Sequence, residues 1–380
     1  LSGATVLDAF RALDARWPFA HRSDWDNVGI LLGDPRREVR KVLVSLDATP
    51  ASVSRCIRSG ASLLVTHHPP IFSPMKDFRE DRAPASLLFP LVRAGAAVIS
   101  AHTNADLAAD GVSHAAARRL GLRSLRPLLP GETAGARKVV VFVPPSHEGA
   151  VLDSMTAAGA GRIGAYSRCA FRSAGTGSYL PGAGSAPFRG KAGQEERVEE
   201  RRLEAVVAGA DLGRVLAAIR EVHPYEEPAV DVYPLSGGSP LGGGLGVVGE
   251  LPEPLPVAEA LKLVRTALRA ATLRAAGPRS GRVRRVAVVG GSGGGMIGAA
   301  AAAGADLYVT GDVKHHEALE AAAGPMVVAD AGHAATEKWI LPEFASALRK
   351  ALGSAVRVNV HEEEEPLRDV PGGNDGGRGN

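Results

Sequence analysis

Residues 41–72 read KVLVSLDATPASVSRCIRSGASLLVTHHPPIF, and the fold class turns on them. "KVLVSLDAT" and "ASLLVT" are apolar runs of strand length. Between them "PASVSRCIRSG" has a helical signature, with Pro50 near its start and Gly60 at its end. The runs are continuously apolar instead of alternating, as strands covered on both faces are. Two such strands joined by a helix run parallel. The pattern then repeats: "ASLLFPLVRAG" as a helix, "AAVISAHT" as a strand, "GVSHAAARRLGL" as a helix. The expectation is an α/β core.

The texture changes near residue 131. "RKVVVFVPP", "EGAVLDSMTAAGAG", a Gly/Ser/Pro-rich stretch, "ERRLEAVVAGA", "LGRVLAAIREV" and "HPYEEPAVDVYPL" suggest the order β-α-β-β-α-β, a ferredoxin-like α+β module. "SGGSPLGGGLGVVGEL" (236–251) reads as a return linker. Strand–helix alternation then resumes with "PVAEALKLVRTAL" and "RVRRVAVVGG" and continues to "AVRVNVH". The expected organisation is an α/β core split between 1–130 and 246–361, a ferredoxin-like insert at 136–236, and a charged, Gly-rich disordered tail at 362–380.

Composition narrows the function classes. The 380 residues are 45% hydrophobic and 22% charged, as in ordinary globular proteins. A net charge of +3 from 44 cations and 41 anions, with 4% aromatics, gives no argument for nucleic-acid binding. Cys56 and Cys169 stand far apart and make neither a disulfide framework nor a zinc ribbon. "ATVLDAFRALDARWP" reads as an amphipathic helix with no signal-peptide core, and no apolar run reaches the roughly 18 residues of a membrane span. A cytoplasmic protein is expected.

Three strands end in residues that bind metals. "SLLVT" runs into His67 and His68, "AAVIS" into His102 and Asp106, and "MVVAD" into His333 and Glu337. Ligands collect at the carboxyl ends of strands in open α/β sheets. Imidazole with carboxylate suits zinc, manganese, iron, nickel or cobalt better than calcium. His67 and His68 cannot share a face while both lie on a strand. A chain corner at Pro69 and Pro70 would free them to reach two different ions. His333 and Glu337 stand at i and i+4, on one face if a helix starts after Gly332.

Other polar residues carry two readings. Asp47 either holds an imidazole N–H or caps the next turn. Asp24, Asp26 and Asn27 form a polar turn or line a pocket, and Asp312, His315 and His316 are acid/base groups or a capped helix start. Gly293, Gly295 and Gly298 satisfy G-x-G-x-x-G, but in so Gly-rich a stretch the match arises easily by chance, and Asp312 is followed by a histidine pair.

"DWDNVGILLG", "VTHHPPIF", "SAHTNAD", "VVGGSGG", "VTGDVKHH" and "DAGHAATE" resemble, in this order, the Nif-three-like dinuclear metal-centre family, whose members are called GTP cyclohydrolase 1 type 2 homologues. "AGAGRIGAYSRCAF", "GTGSYLPGAGSAPFRG" and "HPYEEPAVDVYPL" resemble the inserted PII/CutA-like domain of its longer bacterial members. The resemblance implies two divalent ions per chain, zinc foremost: one on His67 and Asp106, the other on His68 and His333, with Glu337 bridging. It also implies a toroidal homohexamer. The sequence departs from the pattern at "VRVNVHEEEEPLRDV", where the charged tail begins. A metal-dependent hydrolase follows, in which a water bridging the ions attacks a small-molecule substrate such as the purine nucleotide GTP, with His102, Asp312 or His316 moving protons. The alternative is a non-enzymatic metal-binding or small-molecule-sensing ring protein.

Overall fold

Lys41–Ser45 and Leu63–Thr66 pair in parallel, from Val42 beside Leu63 to Ser45 beside Thr66, with the helix Pro50–Ser59 between them. Thr49 caps that helix through a reciprocal bond with Ser52, Pro50 occupies its first turn, and Gly60 ends it in the left-handed region at φ 69°. The computed structural model describes residues 3–130, 136–163, 166–235 and 243–362. It packs as two units, one from Leu1–Leu129 with Gly244–Asn380, the other Pro130–Gly243.

The first unit contains two mixed sheets. One has the order Gly29–Leu32, Ala97–Ser100, Leu63–Thr66, Lys41–Ser45, Arg357–Val360, all parallel except the first pair. Val42, Val44, Leu63, Val65, Ala97 and Ile99 enter a core on one face, and Leu43, Leu64 and Val98 enter another on the opposite face. Burial on both faces is why these strands read as unbroken apolar runs. The other sheet has the order Arg274–Ala276, Val327–Asp330, Leu307–Gly311, Arg282–Ser292, Gly244–Pro256, Arg123–Pro130. Its three inner neighbours Val327–Asp330, Leu307–Gly311 and Arg282–Ser292 are parallel, again between two cores. The helix Val112–Arg119 joins the sheets: Val112 packs in the core of the first, Ala116 and Ala117 in that of the second.

The stretch 236–251 expected as a linker is a strand from Gly244 onward, pairing antiparallel with Arg282–Ser292. Its glycines mark close packing instead of slack. A Cβ at Gly249 would lie 2.8 Å from the Arg123 carbonyl oxygen, and one at Gly246, with φ 69°, 2.6 Å from Val289. The tail expectation over 362–380 falls outside the described residues except for Glu362, which lies 3.7 Å from Arg269.

In the second unit a four-stranded sheet has the order Ala170–Tyr179, Glu196–Val207, Arg137–Val143, Val230–Pro234, every neighbouring pair antiparallel. The helices Glu148–Ala157 and Leu212–Val222 pack on it through Val151, Met155, Val215 and Ile219 against Val139, Val141 and Leu203. Among the described residues no helix is long and apolar enough to cross a membrane.

Leu64 is fully buried in the smaller core of the first sheet. Leu64→Ala should cost about 2–5 kcal/mol and lower the urea midpoint accordingly; an unchanged midpoint would contradict the two-faced packing.

Candidate metal centre

Leu63–Thr66 ends at a corner, and the corner orients both histidines. The backbone N–H groups of His67 and His68 both donate to the Leu46 carbonyl, at 3.1 and 3.0 Å, so the chain has left the ladder. The two rings lie 4.8 Å apart, centroid to centroid. The geometric conflict of adjacent strand residues is resolved by this turn into Pro69.

Each nearby imidazole is fixed at Nδ1 by an acceptor. His67 donates to the Ala101 carbonyl at 2.8 Å, His68 to Asp47 at 2.8 Å, His102 to Asp26 at 2.9 Å, and His333 to Asp312 at 2.6 Å. Carbonyls and carboxylates only accept, so Nδ1 carries the proton and Nε2 is the atom left for a ligand. Asp47 therefore serves His68, while Thr49 caps the helix. Asp26 also accepts from the Thr103 amide and hydroxyl, which ties the turn 24–27 to the His102 segment. Its carboxyl is held at about 2: burial pushes it up, but His102 and Thr103 outweigh that.

The second half of the cluster comes from the short helix His333–Glu337. Thr336 accepts from the Gly291 amide at 2.9 Å and binds the His333 carbonyl at 2.8 Å, pinning this helix to the strand Arg282–Ser292. Buried Asp330 accepts from Gly332 N and Val313 N, bracing the loops of His333 and Asp312 together. Two glycines make room, Gly291 of "VVGGSGG" and Gly311 of "VTGDVKHH": a Cβ at Gly291, with φ 68°, would lie 2.2 Å from Glu337 Oε1, and one at Gly311 would lie 2.8 Å from His333 N. Sequence reading weighed only Gly293, Gly295 and Gly298, as a chance motif, and did not single out Gly291, Gly311, Asp330 or Thr336. A buried Glu packed against a strand needs a residue without a side chain beneath it, which is the signal that was available.

The side chains converge on Glu337, which is 4% exposed. Its Oε2 lies 3.1 Å from Nε2 of both His68 and His333, its Oε1 3.8 Å from His67 Nε2, and the His68 and His333 Nε2 atoms are 3.4 Å apart. His67 Nε2 is 3.6 Å from Asp106. The ligand atoms of His68, His333 and Glu337 lie within 4.8 Å of one another, as do those of His67, His68 and His102. His67 Nε2 and Glu337 Oε2 are buried without a hydrogen-bond partner of good geometry. Orphaned buried atoms of this chemistry, with every Nδ1 already engaged, fit divalent cations.

Electrostatics agree. Burial pushes Glu337 up, but contacts with His333, His67 and His68 hold it well below the usual carboxylate range. Burial pulls His68 down, yet Asp47 and Glu337 carry it up to about 10. Glu337 raises His333 to about 9 against burial, and Asp312 adds to the rise. His67 is raised too, since Asp106 and Glu337 overcome its burial, and burial raises Asp106 against the pull of His67.

The structure thus brings His67, His68, His102, Asp106, His333 and Glu337 into one cluster, with Asp26, Asp47 and Asp312 around it. His315 and His316 are exposed at the start of the helix His315–Ala323, their rings 5.5 Å apart, with no described contact to the cluster. Asp24 is exposed, and Asn27 donates to the Ile71 carbonyl at 2.7 Å.

A family model described as Duf34/NIF3 (NGG1p interacting factor 3) matches residues 4–366. The GTP cyclohydrolase 1 type 2 homolog of Halalkalibacterium halodurans is 38% identical over 334 residues, 87% of this chain and 88% of that protein. The protein of the same name from Mycobacterium tuberculosis is 39% identical over 360 residues, 93% and 94% of the two chains. The crystal structure of the Bacillus cereus protein related to NIF3 superposes with a TM-score of 0.79 at 34% identity, covering 97% of this chain and 100% of that one.

Three outcomes are expected at this site. Gly291→Ala should displace Glu337 and strip most of the bound metal, whereas Gly295→Ala, whose Cβ would meet open space, should not; equal metal content in both variants, by elemental analysis, would refute the packing role. In chelator-treated protein, His68 and His333 add stability that is complete below about pH 6.5 and lost as pH rises through about 9 and 10. Glu337 works in the opposite sense, losing its contribution only as pH falls through its depressed value. The melting temperature should therefore decline from near neutral to alkaline pH, and zinc titration at pH 7 should release protons. Proton-free zinc uptake would contradict the assignment.

Proposed function

The chain belongs to the Duf34/NIF3 family, and from that premise we propose that it is a dinuclear divalent-metal protein acting as a metal-dependent hydrolase. The observation that carries the proposal is the locking of four imidazoles at Nδ1 around one buried carboxylate, with ligand atoms facing inward. His67 and Asp106 would hold one ion, His68 and His333 the other, and Glu337, reached from both sides, would bridge them. Zinc is the first choice, with iron, manganese, nickel and cobalt suited to the same donors.

Two ions so held would supply a water acidified toward neutral pH and a clamp for attacking and leaving oxygens. The chain's own groups then divide the remaining work. His102 sits beside His67 and His68, at centroid distances of 5.2 and 5.4 Å, makes no ion pair with Glu337, and is oriented by Asp26, so proton transfer is assigned to it. Asp312 is committed to His333 and acts as a positioning residue. His316 has no described contact that would give it this role. A purine nucleotide such as GTP is the first substrate to examine, because the relatives carry that name.

The same premise brings a toroidal homohexamer and a cytoplasmic location into the proposal. The strand order of the unit Pro130–Gly243, with its two helices, supports reading it as a ferredoxin-like insert of the PII/CutA kind, which keeps a small-molecule-sensing or scaffold role as the second reading.

Elemental analysis of the purified protein should find about two metal ions per chain, falling sharply in Glu337→Ala. Fewer than about one ion in the wild type sinks the dinuclear assignment. His102→Ala should keep its metal and lose about 100- to 10,000-fold in turnover on nucleotides or phosphoesters. A fully loaded wild type that hydrolyses neither class leaves the sensing role standing in its place.

A further inference from the structure

Two large aromatic side chains stand in solvent beside the histidine cluster. Trp25 is 60% exposed and Phe72 54% exposed. Their rings lie 5.6 Å apart, and each is 6.1 Å from the ring of His102. A lone exposed apolar residue needs no explanation, but two in contact with each other and with a functional cluster do. They come from different segments, one before the first strand and one after the His67–His68 corner.

Their exposure is not fraying. The residue after Trp25 is Asp26, buried and bonded to His102 and Thr103. The next is Asn27, whose side chain donates to the carbonyl of Ile71, the residue before Phe72. One side-chain bond thus ties the two aromatic-bearing segments together, and another ties them to the imidazole they flank. The backbone holds both rings in place where water meets them, an arrangement that costs hydrophobic free energy unless something apolar covers them.

We infer that Trp25 and Phe72 form a stacking subsite for a planar heteroaromatic ring, placing a ligand's ring at the mouth of the cluster while its polar part reaches His102 and the metal-ligand set. The rings are tilted by 48° to each other, so they offer one face and one edge to a ring instead of a parallel slot. Stacking is tolerant of ring identity, since every nucleobase has a π face; the subsite selects ring-bearing substrates over ring-free ones without reading the base. This deepens the hydrolase reading by naming the substrate class, and it rests on that reading for the identity of the reacting end.

The test uses the full-length protein as purified and measures binding by equilibrium dialysis for guanosine, GTP and inorganic tripolyphosphate, the last a ring-free probe. Trp25→Ala and Phe72→Ala should each weaken guanosine and GTP by about 5- to 150-fold and leave tripolyphosphate and metal content unchanged. Trp25→Phe should restore most of the loss. Guanosine binding should also quench tryptophan emission in the wild type and not in Trp25→Phe, because Trp17 is fully buried and Trp339 is packed beneath Arg119. Equal weakening of tripolyphosphate overturns the inference, as does the absence of guanosine and GTP binding to the wild type. So does a change confined to sedimentation, which would make the pair a contact between copies of the chain. Ring binding that persists in a protein without hydrolytic activity separates failure of the hydrolase reading from failure of this one.

Discussion

One buried carboxylate organises the centre. Glu337 is almost inaccessible and is approached by the Nε2 atoms of three histidines. A carboxylate in that position is strongly unfavourable unless positive charge and hydrogen bonds surround it. The fold answers on every side. Gly291 clears space beneath it, Thr336 pins its helix to the neighbouring strand, and the raised imidazoles of His68 and His333 face it. The same imidazoles that compensate the charge are of the type suited to bind cations, so metal uptake at such a site would be coupled to proton release.

The outer partners decide which atom each histidine presents. Three carboxylates and one backbone carbonyl accept the Nδ1 hydrogen bonds; Asp47, Ala101 and Asp312 come just after strands, and Asp26 just before the first. Asp312 adopts φ 56° to do this, a conformation rare for a residue with a side chain, and buried Asp330 braces the backbone on either side of the pair through Val313 and Gly332. Strain accepted at a residue whose visible work is to orient an imidazole is consistent with a site shaped for function.

Much of this was legible in the sequence. The α/β class followed from unbroken apolar runs, and burial of those runs between two cores is the physical reason the pattern exists. The residues at three strand ends could be picked out because the carboxyl ends of neighbouring parallel strands converge, so metal-binding residue types at three of them reinforce one another. Less was legible where meaning depended on partners distant in sequence. Asp26 and Asp47 were ambiguous because a polar turn and an imidazole anchor look alike until His102 and His68 are seen beside them. His316 looked like Asp312's equal, yet the helix that begins at His315 leaves it in solvent. The glycines after 243 read as slack because composition cannot distinguish a flexible link from a strand packed too closely for side chains.

The connectivity of the first unit has a consequence for its synthesis. His68 and His333 are 265 residues apart, and the strand Arg357–Val360 that completes the first sheet beside Lys41–Ser45 comes later still. At ribosomal rates of about 5–20 residues per second, roughly 13 to 53 seconds separate the emergence of the two histidines. During that interval Lys41–Ser45 waits with an open edge, while the whole of Pro130–Gly243 is made and is free to fold. Through that interval the nascent chain therefore carries an unfinished sheet of apolar strands, and the histidine–carboxylate cluster is complete only once Glu337 has been made.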